Sequence, residues 1–348
     1  MTRCLVNILA AALLFAAGCT IPPAAPVAPA SYSPSLAAPK PGEGGSPLSH
    51  RRVLVLGDSI TQDGRYVSFL EYYLQRLAPD AKCDLISIGL SSETVSGLSE
   101  PGSAYPRPCV LERLDRALAA VKPQLVLACY GMNDGIYHPS SPERLAAFNA
   151  GVRQLITQVH ATGAELILIT PPVFDPGPIA EKTVPITAPV FGYGHFFAGY
   201  DGVLAEFAAT EMSLHERGVT VIDLHTPMAA ALAAAHGPNP AFTFSRDGVH
   251  PDEAGHLLMA RIIGTAVGLP LTAVELAPEL ARVNADPVFN LVHARRQLRS
   301  EGWLAFVGYT HERIFKSAFI DATEQAAQLL LEQINARRLP GAVGPVSN

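Results

Sequence analysis

The chain has 348 residues, 49% of them hydrophobic and 16% charged, with a formal net charge of −6. That is enough apolar material for one large domain or two small ones. It is too little charge of either sign to recruit a phosphate backbone or an anionic lipid surface, so nucleic acid is not expected as a partner.

The 30 prolines and 28 glycines cluster in the first fifty residues and in a few loops, which reads as punctuation around an ordered body. At the amino terminus Arg3 precedes an apolar run, Leu5 to Ala17, that ends in Ala16-Ala17-Gly18-Cys19, the layout of an export signal. The run has thirteen residues, short of the roughly twenty that cross a hydrocarbon core about 30 Å thick, so a retained transmembrane helix is not expected. Small residues before a cysteine resemble the bacterial lipoprotein cleavage box. That resemblance implies lipidation at Cys19 and a place in the cell envelope, periplasmic or on the surface, with membrane contact only through the anchor. Plain secretion is the alternative, because Ala16 stands where that box usually has Leu and a single basic residue is a thin start. From Thr20 to His50 the chain is mostly Pro, Ala, Ser and Gly, a composition that cannot bury enough to offset chain entropy, and a tether is expected there.

The body begins near residue 51. Val53-Leu54-Val55-Leu56 is a short apolar run closed by Gly57, and Tyr66 to Leu77 has helical periodicity. The same alternation recurs as Leu85 to Ile88 with Val110 to Val121, Leu125 to Cys129 with Pro142 to His160, and Glu165 to Thr170 with Tyr200 to Arg217. A fifth strand is expected at Val219 to Leu224. Strands that are apolar throughout, separated by helices, predict a parallel sheet covered on both faces: a three-layer α/β/α sandwich with a five-stranded, flavodoxin-like sheet. Pro251 and Asp252 open a closing helix that runs to Val267, so residues 51–269 read as one domain. Residues 270–348 read as an appended helical extension in several pieces, Phe319 to Ile334 the clearest, with Trp303 in an apolar contact and a frayed tail. Packing against the sheet domain is its simplest role, and covering the substrate cleft is the other.

Of five cysteines, Cys4 leaves with the signal, Cys19 is the lipidation candidate, and Cys83, Cys109 and Cys129 remain. Nothing in the spacing demands a Cys83–Cys109 disulfide, and buried thiols are expected. With no Cys-x-x-Cys or His-Glu-x-x-His pattern, neither a metal nor any other cofactor is expected.

In open α/β sheets ligands bind where loops leave the carboxyl ends of strands. Four such loops carry polar residues. Gly57-Asp58-Ser59 follows the first strand and presents a candidate nucleophile at the sheet edge, although the tripeptide alone also fits an ordinary turn. Gly89 after the second strand and Asn133 in Gly131-Met132-Asn133-Asp134 after the third are candidate donors to a tetrahedral oxyanion, together with the Ser59 amide. Each also fits a plainer role, as a turn glycine or a loop-capping amide. The fourth loop, Asp247-Gly248-Val249-His250, places an acid and a histidine three apart, close enough for the carboxylate to hold one ring nitrogen while the other faces Ser59; a solvated surface pair is the alternative. Asp58, Asp134 and His138 are candidates for substrate contact.

Taken together and in this order, these motifs resemble those of the SGNH, or GDSL, hydrolases across residues 51 to 267. The resemblance implies Ser59 as nucleophile, His250 as base and acid, Asp247 as its orienter, and Ser59, Gly89 and Asn133 as oxyanion donors. Ser87 departs from the pattern, since many members have Asn two residues before the glycine, and that bears on how the second loop is supported. The implied activity is hydrolysis of carboxylic esters through an acyl-enzyme, with short acyl groups such as acetyl on carbohydrate or lipid favoured, and with no cofactor. Acyl transfer by the same intermediate and non-catalytic glycan binding by a surface lipoprotein are the alternatives. A monomer is expected. Pro171 to Tyr200, a long Pro/Gly-rich segment with Phe174, Phe191, Tyr193, Phe196 and Phe197, is expected to wall the substrate site.

Overall fold

A computed structural model describes residues 46–309 and 320–337. The proposed signal, the lipidation candidate Cys19, most of the tether and the frayed tail lie outside the described residues.

The apolar run after residue 51 forms β1 (Arg52–Gly57), buried from Val53 onward. A five-residue helix, α1 (Ser59–Asp63), follows directly, and Gly64 in the left-handed region turns the chain into α2 (Arg65–Leu77). Then come β2 (Asp84–Ser87), α3 (Leu114–Val121), β3 (Leu125–Cys129), α4 (Pro142–Ala161) and β4 (Glu165–Ile169). The Pro/Gly-rich segment contributes only a two-residue ribbon, β5 (Thr183–Val184) beside β6 (Phe196–Phe197), before α5 (Tyr200–Met212), β7 (Val219–Ile222), α6 (His225–His236) and α7 (Glu253–Ala266).

The main sheet has the order β2-β1-β3-β4-β7, all parallel, with Val55 opposite Leu127 and Gly57 opposite Cys129. Each crossover carries a helix, as parallel connections require. α3, α4 and α5 cover one face, and α2, α7 and a later helix cover the other. This is the expected three-layer sandwich with a flavodoxin-like order.

Two local readings change. The stretch read as one helix over Val110 to Val121 is a 3-10 turn at Val110–Glu112 and then α3, with Arg113 buried at the joint. α6 has no counterpart in the sequence reading. Its alanines place apolar groups all round and bury only His225 and Met228, so there is no one-sided stripe to detect.

Beyond residue 270 lie α8 (Leu276–Ala285), α9 (Pro287–Val307) and α10 (Ile320–Ala336). Asp286 separates the first two: its carboxylate accepts the Val288 amide at 2.9 Å, and Pro287 occupies a first-turn position where no N–H is needed. α9 packs on α2 and on β2, with Phe289 stacked on Phe69 at 4.7 Å between ring centroids. Three buried arginines of α9 enter this contact, and each finds partners, as buried guanidinium groups must. Arg295 pairs with Glu71 at 2.5 Å. Arg299 reaches Asp84 at 2.8 Å and donates to the Leu85 carbonyl at 2.6 Å. Arg296 donates to Ser68 Oγ at 3.1 Å. The helical extension is thus part of the same compact unit as the sheet. Trp303 makes the expected apolar contact, edge-on to Phe306, and its indole N–H donates to Glu324 of α10.

Cys83, Cys109 and Cys129 are free thiols, the last buried and the others half-buried. Among the described residues no helix is long and apolar enough to cross a membrane.

Candidate active site

β1 delivers Gly57, Asp58 and Ser59 to the carboxyl edge of the sheet. Asp58 caps α1, accepting the Ile60 amide at 2.9 Å, and so fixes Ser59 as the first residue of that helix. From the far side of the chain, Asp247 and His250 arrive in the loop that leads into α7. The loop folds back on itself: Asp247 Oδ1 accepts the amides of Val249 at 3.0 Å and His250 at 2.8 Å. Gly248 makes this turn with φ at 77°, and a methyl group there would lie 2.7 Å from the Asp175 carbonyl oxygen, so only glycine fits.

The two loops converge. Ser59 Oγ lies 2.8 Å from His250 Nε2, and His250 Nδ1 lies 2.6 Å from Asp247 Oδ2. Partial burial pushes the Asp247 carboxyl upward, but hydrogen bonds from the His250 ring and from the two amides outweigh it and hold the group at about 2. The bond to Asp247 raises the imidazole above its ordinary value, against an opposing effect of burial, and the Asp58 and Asp63 charges add to the rise. An imidazole so placed can take the Ser59 proton while its other nitrogen stays locked on a carboxylate.

That shift sets a pH dependence. Only neutral His250 can act as a base, so activity is lost as pH falls through its raised pKa. The acid limb of kcat/KM is expected to have its midpoint above about 6.5, the ordinary histidine value. A midpoint at or below about 6 in a pH series on a neutral ester would contradict the hydrogen-bond arrangement.

The three candidate oxyanion donors come from the loops that follow β1, β2 and β3. The Ser59 amide, in the first turn of α1, has no intrahelical acceptor. Ile88 and Leu90 donate to Val55 and Gly57 of β1, which leaves the Gly89 amide between them turned away from that strand. Gly89 presses against α1 so closely that a methyl group would lie 2.3 Å from the Gln62 nitrogen, which accounts for glycine there. The Asn133 side chain is buried, its Nδ2 3.3 Å from both Asp58 Oδ2 and the Glu93 carbonyl, long bonds that leave it able to donate elsewhere. Its oxygen accepts from Arg107 Nη1 at 2.8 Å and from Tyr137 OH at 3.1 Å.

A buried ion pair braces the second and third loops together. Arg113 and Glu93 meet at 2.6 Å with both side chains almost wholly inaccessible, Arg113 also donates to the Ile88 carbonyl at 2.8 Å, and Tyr130 OH donates to Glu93 at 2.7 Å. Ser87, the departure noted in the sequence, reaches the Thr61 carbonyl only at 3.4 Å, so Arg113 carries most of the support for this loop.

The structure corrects three candidate substrate contacts. Asp58 is buried beneath Ser59 as a helix cap, and burial, opposed by its bond from Ile60, pushes its carboxyl up to about 7. Asp134 is fully buried and joins loops, accepting the amides of Val95 at 2.9 Å, Ser96 at 2.7 Å and Gly131 at 2.9 Å. His138 stands behind the cleft wall with its ring 5.3 Å from that of Phe191, and burial lowers its pKa. Short polar side chains next to a catalytic motif suit loop construction as well as substrate contact, and sequence does not separate the two.

The description "GDSL-like Lipase/Acylhydrolase family" fits residues 55–258 of the chain. The chain belongs to this family. As a GDSL-like hydrolase it is a serine ester hydrolase. No curated protein sequence matches it. Among solved structures it is similar to a gut microbial diltiazem-metabolizing enzyme, with 18% identity, a TM-score of 0.47, and coverage of 65% of this chain and 48% of that one, so it spans about half of that enzyme's length. It is also similar to an acetylxylan esterase from Geobacillus stearothermophilus, with 23% identity, a TM-score of 0.43 and coverage of 65% and 98%. A third is a lipolytic protein of the G-D-S-L family from Desulfitobacterium hafniense, with 16% identity, a TM-score of 0.40 and coverage of 62% and 98%.

The family span of this GDSL-like hydrolase stops inside α7, yet residues beyond it touch the nucleophile's helix. Arg296 of α9 donates to the carbonyls of Gln62, at 3.3 Å, and Asp63, the last residues of α1. Its burial brings the guanidinium down to about 10. From inside the span, His256 of α7 lies 3.1 Å from Asp63 and holds that carboxyl well below the usual range. Ser59 therefore sits on a helix fixed at both ends.

In front of Ser59 and His250 opens a cleft of about 1280 Å3, larger than the roughly 300–1,000 Å3 of most small-molecule sites. The segment 100–108 forms one bank, and 190–195, which packs on it where Gly192 meets Glu100, also lines the cleft, as does Tyr309 just after α9. The long aromatic segment therefore divides. Phe191 and Tyr193 reach the cleft, while Phe174 and Phe196 are buried against Tyr137 and Tyr200. Sequence reasoning missed Arg107, Tyr137, Arg113 and Arg296. The faint signals were an arginine locked between Pro106 and Pro108, and arginines inside otherwise apolar helical stretches.

Proposed function

We propose that this hydrolase removes short acyl groups, acetyl foremost, from the hydroxyls of carbohydrate or lipid alcohols through an acyl-enzyme on Ser59. His250 takes the Ser59 proton as Oγ attacks the ester carbonyl and returns it to the leaving alkoxide; water, deprotonated by the same imidazole, then frees the acid. Charge on the former carbonyl oxygen is met by the amides of Ser59 and Gly89 and by Asn133.

The observation that carries the reading is the unbroken Ser59–His250–Asp247 relay at the floor of an open cleft. The short-acyl preference is supported by the wall beside Ser59. Asn133, Tyr137 and Arg107 are buried there and bonded to one another, so a long chain would have to break that network to pass. The bulky alcohol is supported by Tyr105 and Tyr193 on the cleft lining, 78% and 62% exposed, rings that suit stacking on a sugar face.

The test is a p-nitrophenyl ester series from acetyl to palmitoyl, run beside an acetylated oligosaccharide. kcat/KM is expected to be highest for acetyl and to fall with chain length. A steady rise toward palmitoyl would overturn the short-acyl reading.

A further inference from the structure

We propose that Arg107 is a positioning residue of the oxyanion site, acting through Asn133 to aim and polarise its amide; this rests on the reading of Asn133 as an oxyanion donor. Arg107 sits between Pro106 and Pro108 on one bank of the cleft, its side chain only 6% exposed. Its guanidinium is held at every edge. Nε and Nη2 grip the Glu100 carboxylate at 2.9 and 2.6 Å, Nη1 donates to Asn133 Oδ1 at 2.8 Å, and the plane lies 5.3 Å from the centre of the Tyr137 ring. The Arg107 amide is anchored in turn on Ser99 Oγ at 3.0 Å.

Two consequences follow from donor and acceptor chemistry. A guanidinium can only donate, so Asn133 must turn its oxygen to Arg107, and its NH2 group is left on the side of Asp58 and the nucleophile. A charged donor on the amide oxygen also draws density from the nitrogen, which makes the N–H a stronger donor to an anion that forms in a buried setting. Glu100 neutralises Arg107 overall, so the effect is local to the amide rather than a general pull on anionic ligands. Lysine could not replace it, because a point charge cannot span Glu100 and Asn133 in one plane.

The test is a double-mutant cycle on the full chain, with kcat and KM measured on p-nitrophenyl acetate and folding followed by circular dichroism. Asn133→Ala is expected to lower kcat roughly a hundred- to a thousandfold. Arg107→Met is expected to lower kcat about ten- to a hundredfold with KM nearly unchanged. In the Asn133→Ala background, Arg107→Met is expected to have no further effect. Additive losses, or a loss confined to KM, would show that Arg107 meets the substrate itself or only supports the bank, and would overturn the proposal while leaving Asn133 as a donor. An unchanged kcat in Asn133→Ala would overturn the oxyanion reading and this proposal together. If Arg107→Met does not fold, Arg107→Lys takes its place in the cycle with the same expected non-additivity and the same disproof.

Discussion

Replacing Ser59 with alanine is expected to lower kcat on p-nitrophenyl acetate by about a millionfold, with KM and the circular dichroism spectrum little changed. The magnitude follows from how a serine–histidine–aspartate unit works: once the nucleophile is gone the remaining parts cannot form the acyl-enzyme, and only binding and oxyanion stabilisation are left, which typically retain about a thousand- to ten-thousandfold over water. The fold should survive because Ser59 is half-exposed and, among the described residues, its hydroxyl bonds only to His250, while α1 keeps its Asp58 cap and the Arg296 clamp on its last carbonyls. A fluorophosphonate probe should label the parent protein on the peptide that holds Ser59 and fail to label the variant. Retained turnover in a clean Ser59→Ala preparation would remove Ser59 from the mechanism.

A chain ended at Leu269, which keeps the whole family span, is expected to be insoluble or unfolded. The reason is what α9 covers. Its loss exposes Phe69, Tyr72 and neighbouring apolar surface of α2, and strips Glu71 of Arg295. Breaking a buried pair by removing one partner costs about 3–5 kcal/mol, and losing a buried phenylalanine such as Phe289 about as much again. Those two losses alone approach the roughly 5–15 kcal/mol by which a domain is stable. The measurement is expression and thermal unfolding of the truncated chain beside the chain from residue 46 to its end. A soluble truncated protein with an unchanged unfolding midpoint would show that α9 contributes nothing essential.

The parallel sheet was legible because its strands are apolar throughout and its helices carry one-sided patterns, and both are signals of period and composition. The catalytic loops were legible for another reason: they hold rare residue types at the carboxyl ends of those strands, so Ser59, Asp247 and His250 could be placed before any distance was known. What could not be read is where side chains far apart in sequence meet. Asp58, Asp134 and His138 look like ligands for a substrate, yet the first two are buried in the frame of the loops and the third backs the wall. Arg107 and Arg296 look like surface charges, yet the fold closes over both. α6 was invisible because alanine on every side gives no direction.

β2 is the outermost strand on its side of the sheet, and among the described strands it pairs with β1 alone. A bare strand border is an invitation to a neighbour's backbone. Here Arg299 spends one of its donors on the Leu85 carbonyl and holds Asp84 with another. The guanidinium occupies the acceptor that an incoming strand would use, and α9 lies across the approach. The same helix that completes the core thus also closes this border of the sheet to an added strand.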